Sequence, residues 1–182
     1  MILAFTGAGI SKASGILTFE EQKDLRDKLS HGFKQLHRKE YNELIRGMQE
    51  ICNKAKPNDA HIALAEYNVP IITMNIDGLH KRAGSKHVLE IHGRLPKIVL
   101  YGEYAHNYDK AIKMVGKLRE GDIFLIVGVS FHTNIAYYLK EFAESKKVET
   151  IIINSQAEVL LRPFLESNKS KIEGYRKFME RV

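Results

Sequence analysis

Five short apolar or β-branched runs recur along the chain, at residues 2–6, 71–75, 98–101, 123–128 and 148–154, and longer amphipathic stretches separate them. Several of these runs are continuously apolar rather than alternating, the pattern of strands buried on both faces of a parallel sheet. The stretches between them carry apolar residues at helical spacing. One group is Leu25, Leu29, Phe33 and Leu36, and the next is Tyr41, Leu44, Ile45, Met48, Ile51 and Cys52. Ala111, Met114, Val115 and Leu118 form another stripe, and Tyr138, Leu139 and Phe142 one more. Pro57-Asn58 precedes a further helix over about residues 59–67. Strand alternating with helix predicts an α/β fold: a Rossmann-like open parallel sheet with helices on both faces. Residues from about 20 to 56 are helical in pattern with no strand among them, which predicts a small helical insertion, a lobe or lid beside the sheet. A length of 182 residues suits one such domain over 1–182.

Composition narrows the function. Hydrophobic residues make up 44% and charged residues 27%, enough apolar material for a packed core. No apolar run approaches the roughly 20 residues of a membrane-spanning helix. Met1-Ile2-Leu3-Ala4-Phe5 lacks the basic start of a secretory signal, so a cytoplasmic chain with no membrane partner is expected. The single cysteine, Cys52, excludes an internal disulfide and any metal site built on several thiolates. A formal charge of +6, from 28 Lys+Arg against 22 Asp+Glu, suits an anionic ligand or phosphorylated cofactor. The basic residues are scattered, as at His37-Arg38-Lys39, Lys81-Arg82 and Lys146-Lys147, and no nucleic-acid motif organises them. No specific nucleic-acid partner is expected.

Open α/β sheets bind ligands beyond the carboxyl ends of their strands. The first run ends in Gly7-Ala8-Gly9, where missing side chains let backbone amides approach a pyrophosphate. A tight turn from strand to helix explains the same glycines, and the usual dinucleotide fingerprint is incomplete, with Lys12 at its third glycine. The second run ends in Asn75-Ile76-Asp77-Gly78-Leu79-His80. An amide and a carboxylate two residues apart can hold a carboxamide or a ribose, or simply close the strand as an Asx turn. In Leu89-Glu90-Ile91-His92-Gly93, a histidine suited to general-base work precedes a glycine that permits close approach. Gly128 and Ser130 follow the next run, and Asn154 ends the last.

Together these segments resemble the sirtuin family, the NAD-dependent protein deacylases. The resemblance rests on Gly7-Ala8-Gly9-Ile10-Ser11, Ser14-Gly15-Ile16, Thr18-Phe19, Pro57-Asn58, Ala60-His61 and the segment from Asn75 to His80, with Ala83-Gly84 after it. It continues through Glu90, His92-Gly93, Pro96, Val99, Gly102-Glu103, Gly128, Ser130 and Asn154, in family order. The resemblance implies NAD as cofactor and an acyl-lysine protein or peptide as substrate. Ala8, Ile16, Phe19, Asn75, Ile76 and Asp77 would line the nicotinamide pocket, Gly7 and Gly9 would approach the diphosphate, Ser130 and Asn154 would hold the adenosine end, and Gly128 would also bind the cofactor. His92, with Asn75 and Asp77, would form the catalytic set, His92 activating a ribose hydroxyl once nicotinamide has left. Gly102-Glu103 would lie beside the peptide, which in this family adds as a strand. The products would be deacylated lysine, nicotinamide and O-acyl-ADP-ribose.

The departures from the family pattern are specific. The four-cysteine zinc module between the catalytic histidine and the Gly-Glu segment is missing, so no zinc is expected. Leu17 stands where the family has proline, Glu20 where it has an arginine near the phosphates, Met74 for a glutamine and Val129 for a threonine. Phe131-His132-Thr133-Asn134-Ile135 lacks the family's peptide-contacting valine-x-proline. These changes keep two other readings open: an NAD glycohydrolase or ADP-ribosyltransferase, and a non-catalytic NAD-binding module. A monomer is expected.

Overall fold

All five residues of β1 (Ile2–Thr6) are buried, because the strand sits at the centre of a five-stranded sheet. A computed structural model describes residues 1–18, 21–22 and 24–172. The sheet order is β3–β2–β1–β6–β7, with β2 at Ile71–Thr73, β3 at Val88–Glu90, β6 at Ile123–Val127 and β7 at Glu149–Ile153. Every pairing within it is parallel. Side chains alternate through the sheet plane. Leu3, Phe5, Phe124 and Ile126 therefore pack on one face, against α6 (Asn107–Gly116) and α7 (Asn134–Ser145). Ile2, Ala4, Ile123 and Leu125 pack on the other, against α4 (Asp59–Glu66) and α8 (Ala157–Ser167). Helices on both faces explain the continuously apolar strands.

A small helical lobe follows β1, made of α1 (Leu25–Lys28), α2 (His31–Leu36) and α3 (Arg38–Lys54). Its apolar side, carried by Leu25, Leu29, Tyr41, Ile45 and Cys52, packs with Ile76, Leu95 and Leu100 as a third cluster beside the sheet. The stripe through Leu25, Leu29, Phe33 and Leu36 is not one helix. The Ser30 hydroxyl accepts from the Phe33 amide and starts α2 afresh, and Leu36 is left exposed.

One predicted strand needs correction, and one strand was not predicted. Residues 98–101 are not a strand of the main sheet. Only Lys97–Ile98 pairs, as β5, antiparallel to β4 (Gly93–Arg94) in a separate hairpin. Its apolar residues serve the helical lobe instead, with Leu100 buried there and Ile98 packed against it. The edge strand beside β2 is β3, which overlaps the start of the segment that carries His92. Gly93 has a positive φ of 74°, and a Cβ there would meet the Lys97 carbonyl at 2.7 Å, so the hairpin requires glycine. Among the described residues, no helix is long and apolar enough to cross a membrane.

Candidate active site

From β1 the chain passes to β2 on one side, and β6 later takes the other, so the direction of connection reverses between β1 and β6. Beyond the carboxyl ends of strands at such a reversal lies the crevice that open α/β sheets offer to ligands. The backbones after β1 and β6 meet there almost without side chains. A Cβ on Gly9 would lie 2.7 Å from Gly128 Cα, and one on Gly128 2.2 Å from the Ile10 nitrogen. The Gly7 amide donates to the Val127 carbonyl and the Gly9 amide to that of Gly128. These two amides thus hold the loops together, and close backbone packing accounts for both glycines.

Above this floor opens a cleft of about 750 Å³. Of the residues expected at a cofactor or substrate, Ala8, Gly9, Asn75, Ile76, His92, Gly102, Glu103, Gly128, Ser130 and Asn154 line it. Ile16 packs instead against the helical lobe. Phe19 and Glu20 lie outside the described residues.

Asp77 sits one layer behind the cleft wall. Its carboxylate accepts from the Ser11 hydroxyl at 2.8 Å and from the Leu79 amide at 2.8 Å, at the start of α5 (Leu79–Arg82). Ser11 in turn accepts from the Asn75 amide nitrogen at 3.1 Å. Burial raises the Asp77 pKa, opposed by the hydrogen bonds from Leu79 and Ser11. His61 Nε2 lies 3.4 Å from the same hydroxyl, while its Nδ1 accepts from the Asn58 amide that begins α4. Next to it is His80, whose ring centroid is 4.9 Å away. His80 Nε2 donates to the Thr6 hydroxyl at 2.8 Å, which donates to Thr73. A buried chain of polar side chains therefore ties β1, β2, α4 and α5 to the loop carrying Asn75.

His92 is held from two sides. Its Nδ1 lies 3.2 Å from the Met74 carbonyl, which can only accept, so the proton resides on Nδ1. Nε2 then carries the lone pair, 2.8 Å from the Tyr108 hydroxyl. Burial lowers the pKa of His92, against the raising effect of Met74, and keeps the ring in its neutral, basic form.

Other residues of the cleft were not legible in sequence. Lys12 and Arg26 line it, and Lys12 Nζ pairs at 2.8 Å with Glu21. Bonds from Lys12 and from the Thr18 amide and hydroxyl pull the Glu21 pKa down to about 2. A carboxylate thus stands in the cleft one residue beyond the position that sequence singled out. Asn154 accepts from the Val129 amide and donates to the Val129 carbonyl, so its carboxamide pins the loop after β6. Glu103 accepts from the Leu100 amide, and this bond, followed by His31 Nδ1 at 3.2 Å, lowers its pKa. The Tyr101 amide and carbonyl are paired with Leu29 and His31, so that stretch of backbone is already joined to the helical lobe. A ligand strand beside Gly102-Glu103 must use other backbone groups. Among the described residues, no three His, Cys, Asp or Glu side chains converge as a metal site.

The chemistry of the cleft fits a dinucleotide. It combines two cations for a diphosphate, a buried amide for a carboxamide, and a floor kept low by glycine at a strand reversal. Comparison with known proteins agrees. A model of the Sir2 family matches residues 7–98. An NAD-dependent protein deacetylase of Saccharolobus solfataricus is 30% identical over 205 residues, covering 85% of this chain and 80% of that protein. An NAD-dependent protein deacylase of Aggregatibacter actinomycetemcomitans is 32% identical over 170 residues, covering 70% and 80%. Among solved structures, a Sir2 homologue bound to NAD superposes with a TM-score of 0.83 at 20% identity, covering 94% of this chain and 90% of that one. A Sir2 complex with 2′-O-acetyl-ADP-ribose and a deacetylated p53 peptide gives 0.77 at 23%, covering 92% and 94%. At these identities the structural likeness speaks for the fold.

Proposed function

The chain belongs to the Sir2 family, and from that membership and the geometry of its cleft we propose that it is an NAD-dependent protein-lysine deacylase. The observation that carries the reading is His92: a neutral imidazole with its proton fixed on Nδ1 and its basic nitrogen turned toward a cleft at the strand reversal. Relatives named as NAD-dependent deacetylases and deacylases support the same activity.

NAD, when bound, supplies the leaving nicotinamide and the ribose that receives the acyl group. Asn75 and Ile76, from the loop after β2, face the cleft and would hold the carboxamide-bearing end. Asp77, through Ser11, fixes the orientation of Asn75. Lys12 and Arg26 would neutralise the diphosphate, Lys12 after exchanging Glu21 for phosphate oxygens. Gly128 and Ser130 would serve the adenosine end, with Asn154 holding their loop in place. His92 would take a proton from a ribose hydroxyl, and Gly102 and Glu103 would border the acyl-lysine peptide.

We read the protein as a zinc-free single domain acting as a monomer in the cytoplasm. The short passage from His92 through the β4–β5 hairpin to Gly102-Glu103 supports the absence of a zinc module. So does Cys52, buried in the helical lobe with its thiol pushed up to about 11 by burial, far from thiolate character.

Replacing His92 by alanine tests the reading. The variant should bind NAD and fail to deacylate an acetyl-lysine peptide. Deacylation at the wild-type rate would remove His92 from the mechanism.

A further inference from the structure

The one nitrogen of His92 left for base chemistry already has a partner. Nδ1 is bound to the Met74 carbonyl, so the lone pair lies on Nε2, and a lone pair accepts. The Tyr108 hydroxyl, 2.8 Å away, is therefore the donor in the neutral state. The two rings lie 5.7 Å apart between centroids, tilted by 59°. Tyr108 belongs to the first turn of α6. Its own amide donates to the Ala105 carbonyl, and the neighbouring Asn107 side chain donates to the Glu90 carbonyl of β3. Its ring packs against the core face shared by α6 and α7. Backbone and core thus hold the hydroxyl against His92, while both side chains border the cleft. A substrate hydroxyl that approached Nε2 directly would have to expel the phenol. One that met the phenol oxygen would not.

We propose that Tyr108 relays the proton between the ribose hydroxyl and His92, an inference that rests on the deacylase reading. The ribose O–H bond breaks as its proton forms a new O–H bond on the Tyr108 oxygen. The proton already on that oxygen moves to Nε2 of His92 and forms N–H there. The electron pair left on the ribose oxygen forms a new bond to the acyl carbon, whose π bond to the lysine nitrogen breaks as that pair withdraws onto the nitrogen. Tyr108 ends as it began, a neutral phenol, and its hydroxyl can turn to accept from the protonated imidazole. Burial raises the phenol pKa and so keeps it protonated between turnovers.

Tyr108→Phe removes the hydroxyl and keeps the ring. Nicotinamide release precedes the ribose step, so exchange of labelled nicotinamide into NAD, measured with an acetyl-lysine peptide present, reads the first half of the reaction alone. In the full-length variant, NAD binding by calorimetry and nicotinamide exchange should stay within about twofold of wild type, while deacylation falls roughly tenfold or more. The ¹⁵N resonance of His92 Nε2 in the ligand-free protein should move, since it loses its donor. Deacylation equal to or faster than wild type would make the phenol a cap that substrate displaces, and would overturn the relay. Equal losses of exchange and deacylation would overturn it too, as a packing effect. An inactive wild type, lacking both exchange and deacylation, would overturn the deacylase reading and the relay with it. An active wild type with an unchanged variant overturns the relay alone.

Discussion

The hydroxyl of Ser11 lies 2.8 Å from the carboxylate of Asp77, 66 residues further along the chain, and joins the loop after β1 to the loop after β2. The same carboxylate accepts from the Leu79 amide, and the same hydroxyl accepts from Asn75. Asp77, half-buried and outside the cleft lining, thus fixes the geometry of a residue that faces the cleft.

Asp77→Ala leaves the Ser11 hydroxyl and the Leu79 amide without their acceptor. Each unsatisfied buried group costs about 1–3 kcal/mol. The variant should unfold at lower temperature and lose most of its NAD affinity, whereas Asp77→Asn keeps an acceptor oxygen and should lose less. Thermal unfolding and calorimetric titration with NAD measure both effects. Wild-type NAD affinity in Asp77→Ala would contradict this role.

His92 should set the acidic limb of the pH–rate profile. As a base it works in its neutral form, and burial lowers its pKa from the ordinary 6.5. Activity should therefore persist below pH 6.5 and decline only as the lowered value is crossed. A profile of kcat/KM against pH reports this limb. An acidic limb at or above 6.5 would contradict it.

Much of the fold could be read from the chain because its central strands are apolar on both faces, as in Ile2–Thr6, and only a doubly covered parallel sheet satisfies such residues. The edge strand β3 escaped because Val88–Glu90 is three half-buried residues with no period to detect. Residues 98–101 misled for the opposite reason. Their apolar character belongs to packing against the helical lobe, which pattern alone does not distinguish from a strand. Within the cleft, Asn75 stood out by its place at the end of an apolar run and His92 by the glycine that follows it. Tyr108 and Glu21 had no such mark, since each reaches the site through a tertiary contact from a helix or loop distant from the strand ends.

Glu21→Gln should tighten NAD binding. The substitution removes a carboxylate from the cleft and releases Lys12 from its ion pair. The pair is solvent-exposed, so the effect is modest, about threefold in the apparent KM for NAD. Steady-state kinetics with NAD varied measure it. A higher KM in the variant would show that Glu21 helps to place Lys12 rather than to occupy it.

Stability should fall with pH below neutrality through His61 and His80. Burial lowers His61 to about 4 from the ordinary 6.5, and lowers His80 as well. Between those values the unfolded chain binds a proton at position 61 that the folded chain refuses, so acid favours unfolding. The contribution of His61 is intact above 6.5 and lost at about 1.4 kcal/mol per pH unit as pH falls toward 4. Urea titrations from pH 7.5 to 4.5 should show this slope, and His61→Gln should flatten it. An unchanged slope in the variant would exclude His61 as its source.

As a deacylase, the protein should consume NAD only together with acyl-lysine. Mass spectrometry of the products formed with NAD alone, and with NAD plus an acetyl-lysine peptide, decides this. Little reaction is expected without peptide. With peptide, nicotinamide and deacylated lysine should form in equal amounts, with an acylated ADP-ribose as the third product. Free ADP-ribose formed at the same rate with or without peptide would contradict this and identify an NAD glycohydrolase instead.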